Sequence, residues 1–321
     1  MRQFFEKLLS RDPLDTVLLL TLLLVAVNPG ESLMLHASIQ TSSGPLHADG
    51  SVWLDWLLLV STAIVGVSGI LSPQLRSSAA LWFTLGGLLA VVNVWHNWHF
   101  SDNHKFVICY WCFGLGICQQ LRDPARGAAW TGRILVGLVF GVATLWKVTS
   151  LGYLDGSTFQ FLLITDERFF AMAHALAGFT TDMFEANRLV LTEELAKPTQ
   201  LLPTVQYVAA HSLQTTESIP ALAVFLTWWT ILIEGAIAVL FLIDRGEKWE
   251  KWRHGVLLFF IFTTYPPTSV IKFGWILVIM ALAAVPSEWR RTRTAYLFLF
   301  LYIYVFAESF LRNAYFSWAK G

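Results

Sequence analysis

Long, predominantly apolar runs separated by short polar connections dominate the chain. They lie near 14–28, 52–72, 79–97, 105–121, 130–149, 219–243, 255–265, 269–285 and 293–311. A bilayer core takes about 20 apolar residues as a helix. The pattern therefore predicts an all-α fold, a polytopic integral membrane helical bundle of about nine transmembrane segments. The seventh and eighth runs form one stretch, 255–285, interrupted by TTYPPTS. Pro266-Pro267 must break a helix there. The stretch is either a crossing that ends early or a broken, re-entrant pair that faces protein or a cavity.

The polar connections set the orientation. With the N-terminus inside, the inner segments carry Arg2, Lys7 and Arg11, then Arg76, then Arg122, Arg126 and Arg133. Arg245, Lys248, Lys251 and Arg253 follow, and last Arg290, Arg291 and Arg293. That is fourteen of the 22 basic residues, whereas the outer connections 29–51 and 98–104 contain none. Cytoplasmic loops are the Lys/Arg-rich ones, so the N-terminus is expected in the cytoplasm and the C-terminus on the non-cytoplasmic side. One outer segment, 150–218, is long. Its eight acidic residues face Arg168, Arg188 and Lys197, but ERFFAMAHALAGF and QLLPTVQYVAA are too apolar for a disordered linker. It reads as an outer-side helical cover between transmembrane segments 5 and 6, and 1–321 as a single membrane domain. The start, MRQFFEKLLSRDP, reads as a short interfacial helix with Phe4, Phe5, Leu8 and Leu9 on one face.

Composition agrees. The 321 residues are 55% hydrophobic and 14% charged, against about 25% charged in soluble domains. Fifteen Trp and 24 Phe fit aromatic belts at both interfaces. A formal net charge of zero gives no support for nucleic-acid binding, and three Cys make no disulfide framework.

Ionisable groups inside spans cost about 2.5–3.5 kcal/mol each on insertion scales, so they mark candidate chemistry. Asp55, Lys147, Glu234, Lys272 and Glu308 stand out. At ~1.5 Å rise per residue, Lys147 lies roughly 21 Å above inner Arg133 in a core about 30 Å thick, and Glu308 roughly 22 Å above Arg293. Both belong to the outer half, as do His96, His99 and His104 in WHNWHFSDNHKF. Glu234 falls nearer the midplane. Lys147 is either a snorkelling lysine or a desolvated amine available as a base. Glu234 and Glu308 read first as partners for a buried cation or a backbone donor.

His96 and His99 are one helical turn apart, but the other histidines are scattered and no His-His pair occurs, so no metal is expected. Cys109-Tyr-Trp-Cys112 is a CxxC in the first turns of the fourth run. It is either a thiol–quinone relay or two small buried hydrophobes.

Three stretches carry a family resemblance. SDNHKFVICYWCFGL resembles the Asn-His-aromatic segment of the vitamin K-dependent γ-carboxylase-like membrane domain, also called the horizontally transferred transmembrane domain. VATLWKVTSLGYLDGSTFQFLL resembles that family's lysine-containing span end, and RHGVLLFFIFTTYPPTSVIKFGWILVIMALAAVP its later His-to-Phe-to-Pro segment. The resemblance implies quinol-dependent oxygenase or carboxylase chemistry at the outer leaflet, with reduced quinone (a vitamin K-type hydroquinone) as cofactor. Lys147 would be the base and His104 would position the hydroquinone. Asn103, Trp98, Trp146, His99 and Glu308 are assigned to holding it. Where the family shows two adjacent lysines, this chain has Trp146-Lys147. Peptide docking would fall to 150–218 or to a separate protein. The expected partners are the lipid bilayer, a lipid-soluble quinone, and a secreted peptide or another membrane subunit. Two alternatives stand beside the enzyme: a non-catalytic membrane subunit or secreted-peptide maturation partner, and the CxxC thiol–quinone relay.

Overall fold

A computed structural model describes residues 12–40, 51–97, 103–195, 213–243, 246–264 and 271–285, with short helical pieces between 297 and 304. Among these residues every regular element is an α-helix, as the apolar periodicity requires. They are α1 (Pro13–Gln40), α2 (Ser51–Leu71), α3 (Pro73–Arg76), α4 (Ala79–Asn97), α5 (Asn103–Cys118) and α6 (Pro124–Thr149). Then come α7 (Leu151–Leu154), α8 (Ser157–Thr165), α9 (Glu167–Ala177), α10 (Thr181–Leu195), α11 (Ser218–Leu242), α12 (Glu247–Thr264) and α13 (Ile271–Ala284). Helix α1 runs on past Asn28-Pro29-Gly30, where the apolar run stops. A proline removes one ladder bond and bends a helix without always ending it. The Pro266-Pro267 break, the 1–11 segment and most of the 293–311 run lie outside the described residues.

Among the described residues two helices, α6 and α11, are long and apolar enough to cross a membrane, and only 28% and 39% of those stretches are buried in the isolated chain. On α6 the exposed set includes Leu138, Val142, Leu145 and Trp146, and on α11 Phe225, Trp228, Leu232 and Val239. These spacings put each set on one side of its helix. Such continuous apolar stripes are unusual on a water-facing surface.

The chain divides into two compact units, Met1–Val139 with Val270–Gly321, and Phe140–Ser269. In the first, α1 packs on α2 and α13, α4 on α2 and α5, and α13 on α5. Glycines permit the close approaches. Gly86 receives the ring of Phe113, and Gly116 that of Phe83. A Cβ at Gly132 of α6 would stand 2.6 Å from the Met280 carbonyl oxygen. Fully buried Trp111 donates to Thr21 Oγ1 at 3.0 Å. Buried Arg76 follows the end of α2, donating to the carbonyls of Gly69 and Ile70 and pairing with Asp15 at 2.6 Å. It thereby satisfies carbonyls that the helix end would leave without donors.

In the second unit, α8 and α9 fold against the first half of α11, and α10 against α8. Phe159, Leu163, Phe179, Phe184, Ile219 and Ala223 form part of their common core. Gly156, at φ +84°, turns the chain into α8 beside Val224 of α11. Gly178, at φ +64°, ends α9, and the Phe179 N–H returns to the Ala173 carbonyl. Only a residue without Cβ takes these angles cheaply. Buried Asn187 of α10 ties the layers together. Its amide donates to the carbonyls of Ile164 and Gln214 and accepts from the Gln214 N–H.

Candidate functional site: a buried lysine–glutamate pair

Helices α6 and α11 run antiparallel along a seam lined by small residues. Gly141 approaches Ala238, and Gly235 approaches Thr144. The same register carries Lys147 to Glu234. The Lys147 ammonium donates to Glu234 Oε1 at 2.5 Å, with side-chain exposures of 12% and 11%. An ion pair enclosed to this degree, between helices of membrane length, is costly to build and is the feature of the second unit that packing alone does not explain.

Above the pair lies Tyr153 of α7, beyond the end of α6. The Lys147 ammonium sits 5.4 Å from the centre of its ring, a cation–π contact. Trp146 meets that ring edge-on at 5.9 Å, and Phe159 packs edge-on at 5.5 Å. The Tyr153 hydroxyl bonds Thr230 of α11. Burial holds this phenol well above its ordinary value, the Thr230 bond opposes the shift, and the Glu234 charge adds to it. Thr230 in turn donates to the Thr227 carbonyl at 3.0 Å. The ammonium is thus roofed by an aromatic ring and floored by a carboxylate.

Among the described residues, two buried oxygens of this seam have no hydrogen-bond partner, Glu234 Oε2 and Thr144 Oγ1, and neither has buried Thr227 Oγ1, two turns earlier on α11. Other helical threonines of the chain return their hydroxyls to the carbonyl one turn back, as Thr21 does to Val17, Thr62 to Leu58, Thr149 to Leu145 and Thr263 to Phe259. Thr144 and Thr227 do not.

The expected site residues fall in different places. Lys147 and Trp146 belong to the second unit. Trp146 is 60% exposed even though it contacts Tyr153. Asn103 and His104 open α5 in the first unit, and their side chains lie outside the described part, as do Trp98, His99 and Glu308 entirely. Asp55 and Lys272 stand on α2 and α13, their side chains likewise outside it. The Cys109 and Cys112 thiols are buried in α5, and Cys109 Sγ accepts from the Asn93 amide at 3.3 Å while donating to the Lys105 carbonyl. No group of three or more His, Cys, Asp or Glu that could hold a metal comes together among the described residues. The sequence put Glu234 nearer the midplane and read it first as a partner for a buried cation; the cation it meets is Lys147. Counting α6 and α11 as an antiparallel pair would have aligned them.

No family model matches the chain, and no curated protein or solved structure matches it. Chemically, the seam offers an amine and a carboxylate in proton-transfer contact, sheltered from bulk water beside an exposed apolar face.

Proposed function

We propose that the chain is a polytopic membrane protein of about nine crossings, with a cytoplasmic N-terminus and an outer C-terminus, and that it performs base chemistry on a lipid-soluble hydroquinone at the outer leaflet. The function follows the γ-carboxylase-like membrane domain that the sequence resembles. The observation that carries it is the enclosed Lys147–Glu234 pair. Lys147 is the base. As an ammonium it cannot accept a proton, and Glu234 Oε1, already in contact, is the group that takes the proton first. His104 positions the hydroquinone. When bound, that cofactor supplies an acidic hydroxyl and reducing equivalents. The chain's own residues supply the amine, the proton acceptor and the aromatic roof that keeps water from both. The exposed stripes on α6 and α11 support lipid contact, and Trp146 stands on that side next to the roof.

The test uses the full chain in lipid nanodiscs, supplied with reduced menaquinone, dioxygen, carbonate and a glutamyl peptide. Lys147→Ala and His104→Ala are expected to abolish hydroquinone consumption while the protein remains helical and monodisperse. Full activity in both variants refutes the assignment.

The same pair also favours a second reading, in which it locks α6 to α11 in a non-catalytic subunit or maturation partner for a secreted peptide. In that case the double variant Lys147→Met/Glu234→Leu keeps its partner bound and its biological activity intact.

A further inference from the structure

The seam's unpartnered oxygens define what the site can hold. Glu234 Oε2 only accepts hydrogen bonds, and it is buried without a donor. Thr144 lies one turn before Lys147 on the same side of α6, against Gly235, the neighbour of Glu234. Its hydroxyl is free to donate and to accept, because it has left the helical ladder that other threonines of this chain use. A buried acceptor left bare costs about as much as a lost hydrogen bond, so the folded protein gains when a donor occupies this position. The pair of Lys147 and Glu234 is neutral as a unit, which disfavours a further cation and leaves a neutral O–H group as the matching donor.

From this arrangement we infer that Glu234 Oε2 and Thr144 Oγ1 together form a recognition position for a neutral hydroxyl, and that they make the site selective for an alcohol or phenol over the corresponding carbonyl. A hydroxyl donates to the carboxylate while accepting from Thr144. A carbonyl oxygen in the same place can accept from Thr144 but turns its lone pairs on the carboxylate. A site built from polar groups rejects the analogue that leaves them unpaired. Glu234 and Thr144 are therefore specificity-determining residues, distinct from the base. The inference rests on the reading that the Lys147 site takes a lipid-soluble hydroxylated ring.

Anaerobic equilibrium dialysis of the full chain in nanodiscs, with menadiol and menadione as probes, tests it. The wild type is expected to hold menadiol at least about tenfold more tightly than menadione, the size of one hydrogen bond to a charged group. Thr144→Val, which keeps the shape and removes the hydroxyl, should cut that ratio severalfold, and Thr144→Ser should restore it. Glu234→Gln should abolish it. Equal affinity for both probes in the wild type, or a ratio that Thr144→Val and Glu234→Gln leave unchanged, overturns the inference: the two oxygens would then hold only an ordered water. That result leaves Lys147 as a base untouched. Binding of neither probe refutes instead the reading on which the inference stands.

Discussion

Breaking the Lys147–Glu234 pair from one side and then from both separates its electrostatic contribution from its packing contribution. At 2.5 Å and an effective dielectric of about 20, the gross attraction between the two charges is about 6–7 kcal/mol. Withdrawing each ion from water opposes this by several kcal/mol. The net contribution of the intact pair to stability is therefore small. The single variants Lys147→Met and Glu234→Leu behave differently. Each strands the other charge in a seam where the side chains are nearly enclosed, at about 3–5 kcal/mol. The double variant Lys147→Met/Glu234→Leu removes both charges, fills similar volume with apolar atoms and is expected near wild-type stability, so the coupling energy is about 6–10 kcal/mol, the two single losses together. Reversible unfolding in mixed micelles, followed by tryptophan fluorescence, gives all four corners of the cycle. Single effects that add to within about 0.5 kcal/mol in the double variant, as distant sites do, would refute the reasoning, since they would mean the two charges do not sense one another.

Gly132→Ala would place a methyl 2.6 Å from the Met280 carbonyl oxygen. Helices α6 and α13 would have to move apart, at about 1–3 kcal/mol, read in the same unfolding assay; an unchanged midpoint would show that no close crossing exists. Asp155 lies outside α6 and α11, the two helices of membrane-crossing length, and accepts from the Ser157 N–H at 2.8 Å. That backbone bond, and then the Ser157 hydroxyl, hold its carboxyl below the ordinary 3.8. Its folded value is the depressed one, so the stabilisation is present above about pH 4 and disappears as the pH falls through the folded value. The protection of α8 amides, after correction for the intrinsic pH dependence of exchange, is expected to fall across that window in the wild type and to stay level in Asp155→Asn.

The helices were legible because an apolar run of this length leaves the backbone no other way to satisfy its own hydrogen bonds. The runs at 79–97 and 219–243 correspond to Ala79–Asn97 and Ser218–Leu242 almost residue for residue. Helix ends that depend on a single proline were less legible. Pro29 marks the end of an apolar run but not of α1, because one missing N–H costs a bond and not a helix. Tertiary clamps were not legible at all: Asn187, in the polar sequence TDMFEANRL, has the composition of an outward face yet is buried with three bonds.

Lys147 and Glu234 were each conspicuous as charges in apolar surroundings, but their pairing was not, for a definite reason. Depth counted along one helix from its basic end assumes that neighbouring helices begin at the same level. Helix α11 does not start level with the end of α6. Its first half packs against α8 and α9, and only then does it reach the register where Gly235 meets Thr144 and Glu234 meets Lys147. The packing of α8 and α9 on α11 thus bears on which carboxylate the lysine meets. Changes in this packing, such as Gly156→Ala beside Val224, are therefore expected to act on the pair by shifting α11 along α6, although they touch neither charge. A helix shifted by a single residue would bring Ile233 or Gly235 to the position of Glu234 and leave the ammonium without its acceptor.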